Sequence, residues 1–123
     1  MKKVVLLIAI IGLTGISYAQ QKSTEKKSEP MKKTVIARLT LKKESVDAFM
    51  IFAKKMVEET HKEAGCVTYS LYKNCFSQDP EFIFYEEYKD QAALEIHNNS
   101  EYLKQFFANI SSLLAGKPIV EVF

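Results

Sequence analysis

Residues 63–114 read EAGCVTYSLYKNCFSQDPEFIFYEEYKDQAALEIHNNSEYLKQFFANISSLL, and this stretch carries the clearest secondary-structure pattern of the chain. It contains two runs of alternating apolar and polar residues, 66–73 and 81–88, separated by a polar segment that ends in Asp-Pro. Alternation with a period of two predicts β-strands, and the segment between them predicts an antiparallel hairpin. Two helical patterns follow, a short one that contains His97 and a longer one with a strong apolar stripe.

The rest of the chain extends this pattern on both sides. Residues 34–41 alternate and predict a strand, residues 45–64 follow amphipathic helical spacing, and residues 119–123 predict a short last strand. The resulting order predicts an α+β fold, the ferredoxin-like βαββαβ sandwich of the dimeric α/β barrel type, with its helices on one sheet face. The bare face would be rich in Phe, Tyr and Ile, so we expect a homodimer with sheets packed on each other.

Helix boundaries are predicted from capping residues. Ser45, Asp90 and Ser100 stand where a side-chain oxygen could cap the first turn of a helix. Gly65 and Gly116 stand where a glycine commonly ends one.

The N-terminal segment has the pattern of a secretory signal peptide over residues 1–19: a basic start, an apolar run and small residues before position 20. The polar residues 20–33 are expected to form a flexible linker, and residues 34–123 the folded domain. We therefore expect a periplasmic or secreted protein with no membrane association after cleavage. The alternative is an uncleaved N-terminal anchor.

Composition argues against several classes of function. From residue 34 onward the chain has 10 basic and 13 acidic residues, which does not support a nucleic-acid partner. The two cysteines, Cys66 and Cys75, stand near opposite ends of one predicted strand, roughly 30 Å apart at about 3.3 Å per residue. A disulfide needs α-carbons within about 7 Å, so we expect two free thiols.

Metal and nucleotide sites are not indicated by the sequence. Its only histidines are His61 and His97, and neither has a metal-ligand spacing around it. Beyond the apolar N-terminal run the only glycines are Gly65 and Gly116, so there is no glycine-rich phosphate loop. We expect neither a metal nor a bound cofactor.

The best candidate for acid–base chemistry is His97, at the end of the short helix, because an imidazole titrates near neutral pH. Glu86 shares a strand face with aromatic residues, and we expect it to orient His97. Two structural alternatives remain open: His97 could serve only as a helix cap or as a hydrogen-bond partner of Glu86, and Glu86 could lie at the wet margin of the sheet.

Four aromatic residues complete the candidate site. Tyr69 and Tyr88 could offer hydroxyl groups to a substrate oxygen, and Phe84 and Phe106 could line an aromatic pocket. All four could equally be packing residues of the core.

These positions together resemble the antibiotic biosynthesis monooxygenase family, whose pattern runs Glu-x-Gly-Cys, Tyr, an acidic residue before an aromatic one, Asp, then His-x-x-Ser. The matching residues are Glu63, Gly65, Cys66, Tyr69, residues 84–88, Asp90, Ala93, His97, Ser100 and Phe106. Tyr88 departs from the pattern, because many members have Trp there. The signal peptide is a second departure, since most relatives are cytoplasmic.

The resemblance implies a small dimeric enzyme that needs no metal or flavin in its oxygenating members. It predicts a cofactor-independent monooxygenase that acts on a small quinol- or phenol-like aromatic substrate with molecular oxygen. His97 matches the family's histidine and is the predicted base. Two alternatives stay open: an isomerase related to the phospho-autoinducer-2 isomerase, and a non-catalytic small-molecule-binding protein.

Overall fold

The structure, a computed structural model, describes residues 30–123. The predicted signal peptide and all but the last four residues of the predicted linker lie outside the described residues. Across this described part, no helix is both long and apolar enough to span a bilayer.

Four strands and three α-helices make up the described chain. The strands are β1 (Lys33–Thr40), β2 (Cys66–Lys73), β3 (Glu81–Tyr88) and β4 (Ile119–Val122). The helices are α1 (Val46–Thr60), α2 (Gln91–Asn98) and α3 (Glu101–Ile110), with single 3-10 turns at Lys43–Ser45 and Ser111–Leu113. β1 therefore begins one residue inside the predicted linker.

The strands form one antiparallel sheet in the order β2-β3-β1-β4. This order and the sequence of elements confirm the predicted α+β ferredoxin-like fold. β3 lies between β1 and β2, so its side chains on the helix-covered face have neighbours on both sides. That position makes β3 the central strand of the site described below.

The core fills the space between the helices and the sheet face they cover. Phe49 of α1, Phe82 and Phe84 of β3 and Phe106 of α3 are all buried, with neighbouring ring centroids 5.0–6.4 Å apart. A smaller buried cluster lies under α2 and consists of Val35, Tyr88, Ala93 and Leu94. Apolar residues every second position on the strands and every three or four on the helices bring these groups together.

The strand β2 contains a β-bulge that the alternating pattern does not reveal. Cys66 pairs with Tyr88 and Thr68 with Glu87, so Val67 is an extra residue without a partner of its own. The sequence predicts Val67 on the same face as Tyr69, but Val67 is 56% exposed. Cys66 takes its place and packs against the core.

The helices α1, α2 and α3 begin directly after the three predicted capping residues, Ser45, Asp90 and Ser100, but only Asp90 makes the expected side-chain hydrogen bond. The Asp90 carboxylate accepts a 2.8 Å hydrogen bond from the Ala93 amide, as predicted. Neither Ser45 nor Ser100 makes a side-chain cap to the helix that follows it. α1 ends at Thr60, five residues before Gly65, and Gly65 does not adopt a positive φ. The loop between α1 and β2 is therefore longer than predicted.

Candidate active site

A cavity of about 160 Å³ lies between the sheet and helix α3. Its lining is mainly apolar, and its polar side chains are those of Tyr69, Glu86, His97 and Asn98. It has no lysine or arginine in its lining. The other lining residues are Val35, Ala37, Leu39, Phe84, Leu103, Phe106, Phe107, Pro118 and Val120.

The sheet register places the polar floor of the cavity. Val35, Glu86 and Tyr69 are directly paired across β1, β3 and β2, so their side chains form one row on the helix-covered face. Phe84 lies two residues from Glu86 on the same strand and face. Glu86 is only 6% exposed. This burial rules out the alternative that Glu86 lies at the solvent-exposed edge of the sheet.

The backbone position of His97 is fixed by hydrogen bonds from Ser100. It lies in the last turn of α2, and its carbonyl oxygen accepts hydrogen bonds from the hydroxyl group (2.7 Å) and the amide (3.0 Å) of Ser100. Ser100 thus closes the end of α2, which explains why its side chain does not cap α3. The side chain of His97 is 2% exposed.

The two ring nitrogens of His97 face different carboxyl groups. Nδ1 lies 2.9 Å from Oε2 of Glu63, in the loop between α1 and β2. Nε2 lies on the side of Glu86, 3.9 Å from its Oε2, which is beyond hydrogen-bonding distance. The sequence predicts that Glu86 orients His97, but the structure places Glu63 at the orienting nitrogen.

The carboxyl group of Glu86 has an unusual environment for an acid. Burial raises its pKa from the usual 4.5 to about 7, although a hydrogen bond from the Tyr88 hydroxyl acts in the opposite direction. The negative charge of Glu63 raises the pKa further. Near neutral pH, Glu86 can therefore exist in both its protonated and its ionised form.

The imidazole of His97 is shifted the other way. Burial lowers its pKa below the usual 6.5, and the hydrogen bond and charge of Glu63 offset part of that effect. At neutral pH the ring is therefore mainly uncharged. A neutral imidazole and a partly protonated carboxyl group in one cavity form a possible base and acid pair.

Two tyrosines close to His97 stay protonated at physiological pH. Burial raises the pKa of Tyr69 well above its usual range and raises that of Tyr102 to about 12. The ring centroid of Tyr69 lies 5.7 Å from that of His97, and the Tyr102 hydroxyl lies 3.5 Å from Nδ1. Both can donate hydrogen bonds and neither can act as a base.

The loop that carries Glu63 packs tightly against α2 through Gly65. A Cβ atom added at Gly65 would lie 2.3 Å from Cβ and 3.3 Å from Cα of Ala93. The Gly65 carbonyl also accepts a 2.9 Å hydrogen bond from the Lys89 amide. Gly65 therefore serves this close approach rather than the end of α1.

The cavity brings together five of the six residues predicted for the site: Tyr69, Phe84, Glu86, His97 and Phe106. The sixth, Tyr88, does not line it. Tyr88 is fully buried behind Glu86 and donates a 2.8 Å hydrogen bond to that residue's Oε2. Among residues 30–123, no three His, Cys, Asp or Glu side chains are grouped so that they could hold a metal ion.

Glu63 is the principal site residue that sequence reasoning did not assign a role. It stands in a polar loop, where a glutamate is ordinarily solvated. In the sequence, only the Glu-x-Gly-Cys motif points to Glu63, and the motif does not indicate which residues Glu63 contacts. The second histidine, His61, lies outside the cavity and is exposed, with Nε2 2.8 Å from the carbonyl oxygen of Tyr69.

The described residues thus form a ferredoxin-like α+β sandwich with a small aromatic cavity under its helices. Residues 33–109 match the antibiotic biosynthesis monooxygenase family over more than half of the chain, and the chain belongs to that family.

Two proteins are similar in sequence to this chain. An uncharacterized protein of Synechocystis sp. is 26% identical over 89 residues, covering 72% of this chain and 60% of that protein. The chain thus matches less than two thirds of the length of that relative. The Bacillus subtilis protein named "Putative monooxygenase YcnE" is 28% identical over 80 residues, covering 65% of this chain and 83% of its own length.

Solved structures share the fold. The crystal structure of a conserved protein from Methanosarcina mazei superimposes with a TM-score of 0.72 at 29% identity. The match covers 77% of this chain and 93% of the other.

Proposed function

We propose that the protein is a cofactor-independent monooxygenase that acts on a small, neutral, quinol- or phenol-like aromatic substrate. The observation that carries this proposal is the position of His97: a buried, mainly uncharged imidazole with Nδ1 beside Glu63 and Nε2 on the side of Glu86, in an aromatic cavity. Membership of the antibiotic biosynthesis monooxygenase family supports the reaction type.

The proposed chemistry begins with a proton transfer. Nε2 of His97 removes the proton of a substrate hydroxyl group, and the resulting anion reacts with molecular oxygen. One oxygen atom enters the ring and the other leaves as water with two hydrogens of the substrate. The substrate supplies all four electrons that reduce O₂, so the step needs no other reductant.

Three side chains would support this reaction in the cavity. Tyr69 donates a hydrogen bond to the substrate oxygen, and Phe84 and Phe106 pack against its ring. Protonated Glu86 donates a proton to the leaving water, and its pKa of about 7 suits that role. The proton that Nε2 of His97 took from the substrate then passes to Glu86, 3.9 Å away, so both groups return to their starting forms. Tyr88 acts on Glu86 rather than on the substrate, because its hydroxyl group is already bound there.

The size and charge of the cavity support the choice of substrate. In another protein, an apolar cavity of about 150 Å³ is large enough to hold benzene, so about 160 Å³ fits a single aromatic ring. A lining with Glu86 and without Lys or Arg disfavours anionic ligands. The same argument disfavours a phosphorylated substrate.

The test is oxygen consumption with a panel of neutral monocyclic quinols, followed by mass spectrometry of the products formed under ¹⁸O₂. We expect one labelled oxygen atom per product molecule. Carboxylated analogues such as dihydroxybenzoates are the matched comparison, and we expect them to react poorly. Binding of these ligands without oxygen consumption would contradict the proposal and favour a non-catalytic binding protein.

An isomerase is the second candidate, because the cavity holds a neutral base and a partly protonated acid side by side. Such a pair can move a proton between two carbon atoms of one ligand. Exchange of substrate hydrogen with deuterium from the solvent, without oxygen consumption, would favour this reaction over the oxygenase.

We also propose that the protein acts as a homodimer in the periplasm or outside the cell. The helix-free sheet face carries Ile36, Tyr72, Ile83 and Tyr85 around the charged residue Arg38. A mainly apolar surface of this kind can pair with a second copy. The signal-peptide pattern supports export. Mass spectrometry of exported protein should show an N-terminus at Gln20, and a mature chain that still begins at Met1 would contradict cleavage.

A further inference from the structure

Glu63 is fixed in position by its own backbone. Its amide donates a 3.0 Å hydrogen bond to the carbonyl oxygen of Thr60, at the end of α1. Its carbonyl oxygen accepts a 3.1 Å hydrogen bond from the amide of Cys66, at the start of β2. The side chain therefore leaves from a closed turn between two core elements rather than from a free loop.

The carboxyl group of Glu63 is turned inward. Its side chain is 13% exposed, with Oε2 2.9 Å from Nδ1 of His97. Its other oxygen, Oε1, is buried and has no hydrogen-bond partner among the residues that the structure describes. A carboxyl group buried in this way is a cost to folding, which surface glutamates do not bear. The hydrogen bond between Glu63 and His97 offsets part of that loss of stability.

We propose that Glu63 is a positioning residue, which holds His97 as the tautomer protonated on Nδ1 and so leaves Nε2 free to accept a proton in the cavity. A neutral imidazole has one N–H group, and the acceptor that this group finds decides which nitrogen carries it. With Nδ1–H donated to Glu63, Nε2 is the basic nitrogen. The catalytic consequence rests on the proposed function, whereas the tautomer itself does not.

Other groups near the ring do not compete for this role. The titratable side chains that face His97 from the packed elements are those of Glu63, Tyr69, Glu86, Tyr88 and Tyr102. Glu86 is too far from Nε2 for a hydrogen bond and is already bonded to Tyr88. Tyr102 lies 3.5 Å from Nδ1, at the limit of hydrogen-bonding distance. Glu63 is thus the closest acceptor for either ring nitrogen.

The direct test is ¹⁵N NMR of the histidine ring nitrogens in the wild-type protein at slightly alkaline pH. We expect the His97 spectrum of an Nδ1–H, Nε2-unprotonated ring. The opposite tautomer, with the proton on Nε2, would overturn the proposal without any variant having to fold.

Two variants test the dependence on Glu63. Glu63→Leu removes both the acceptor and the charge, so we expect the proton to move to Nε2 and the pKa of His97 to fall further. Glu63→Gln keeps an acceptor of the same shape, and we expect a mixture of tautomers. Glu58→Gln is the matched control, since it removes an exposed carboxylate of α1 outside the cavity. A folded Glu63→Leu protein that keeps Nδ1 protonated would overturn the proposal.

The activity assay separates this inference from the proposed reaction. If quinol oxidation occurs, Glu63→Leu should lower kcat by about 10²- to 10⁴-fold and change KM little, because ring orientation acts on the proton-transfer step. An unchanged kcat would overturn the positioning role. Absence of oxygen consumption in the wild-type protein would instead reject the proposed function, and the NMR result would still decide the tautomer.

Discussion

The hydroxyl group of Tyr88 donates a 2.8 Å hydrogen bond to Oε2 of Glu86, two residues earlier on β3. Both side chains point to the helix-covered face and both are buried. The bond gives the buried carboxyl group one fixed partner, and it leaves the cavity side of Glu86 open to a ligand or to a proton.

The first prediction concerns Glu86 and pH. Its pKa is raised by folding from 4.5 to about 7, so the folded state prefers the protonated form. The stability from Glu86 is fully present below pH 4.5 and is lost as the pH rises through 7. The difference in unfolding free energy between Glu86→Gln and the wild type should therefore shift in favour of the variant by up to about 3 kcal/mol as the pH rises from 5 to 8.

This difference is measured by urea denaturation of both proteins at several pH values. The comparison with the wild type removes the effect of His97, whose lowered pKa costs stability below pH 6.5 in both proteins. Equal pH dependence in the two proteins would show that Glu86 is not buried as a neutral acid.

The second prediction concerns His97→Ala. Turnover should fall by about 10²- to 10⁴-fold, the usual range for a positioned acid–base group. Because His97 is almost fully buried and leaves Glu63 without its partner, we also expect a loss of about 1–3 kcal/mol in stability.

Turnover and melting temperature should be measured on the same preparation, with His61→Ala as the control for the exposed histidine. His61→Ala should retain wild-type turnover. A folded His97→Ala protein with normal turnover would end the assignment of His97 as the base.

The third prediction tests the homodimer. Ile83→Glu places a negative charge in the middle of the helix-free sheet face, between Arg38 of β1 and Tyr72 of β2. If that face pairs with a second copy and buries more than about 1,000 Å², the variant should sediment as a monomer while the wild type sediments as a dimer. Ile51→Glu, on the exposed side of α1, should remain dimeric. A monomeric wild type at micromolar concentration would contradict the expectation.

The fourth prediction concerns the thiols. Both cysteines are free in the structure, Cys75 exposed and Cys66 partly buried. Burial raises the pKa of Cys66 to about 11, so its reactive thiolate is scarce at pH 8. Alkylation of the native protein should modify Cys75 first, and Cys66 should react only after unfolding. Detection of a Cys66–Cys75 disulfide would show that β2 does not hold them apart.

The sequence predicts the fold well because alternation and helical spacing report directly on burial. The strands that carry Tyr69, Phe84 and Glu86 are neighbours in the sheet. Residues that the alternation predicts on one sheet face therefore also line one cavity. His97 reaches the same cavity because the short helix follows β3 immediately.

The parts that the sequence does not predict depend on contacts between distant segments. The role of Glu63 follows from contact with a residue 34 positions away, and nothing in its own loop indicates burial. The bulge at Val67 adds one residue to β2 without breaking the alternation of residue types. Tyr88 points to the predicted face of β3, but it does not line the cavity, because it packs against Ala93 and Leu94 of α2 at that end of the sheet.

The close approach of Gly65 to Ala93 has a consequence for how the site can change. Gly65 stands two residues after Glu63, and Ala93 stands one helical turn before His97. The contact between Gly65 and Ala93 therefore sets the distance between the carboxyl group of Glu63 and the imidazole of His97. There is room for one methyl group between the two segments and not for two. A substitution that enlarges position 65 is therefore tolerated only if position 93 gives up its own methyl group, and the two positions are constrained to vary as a pair.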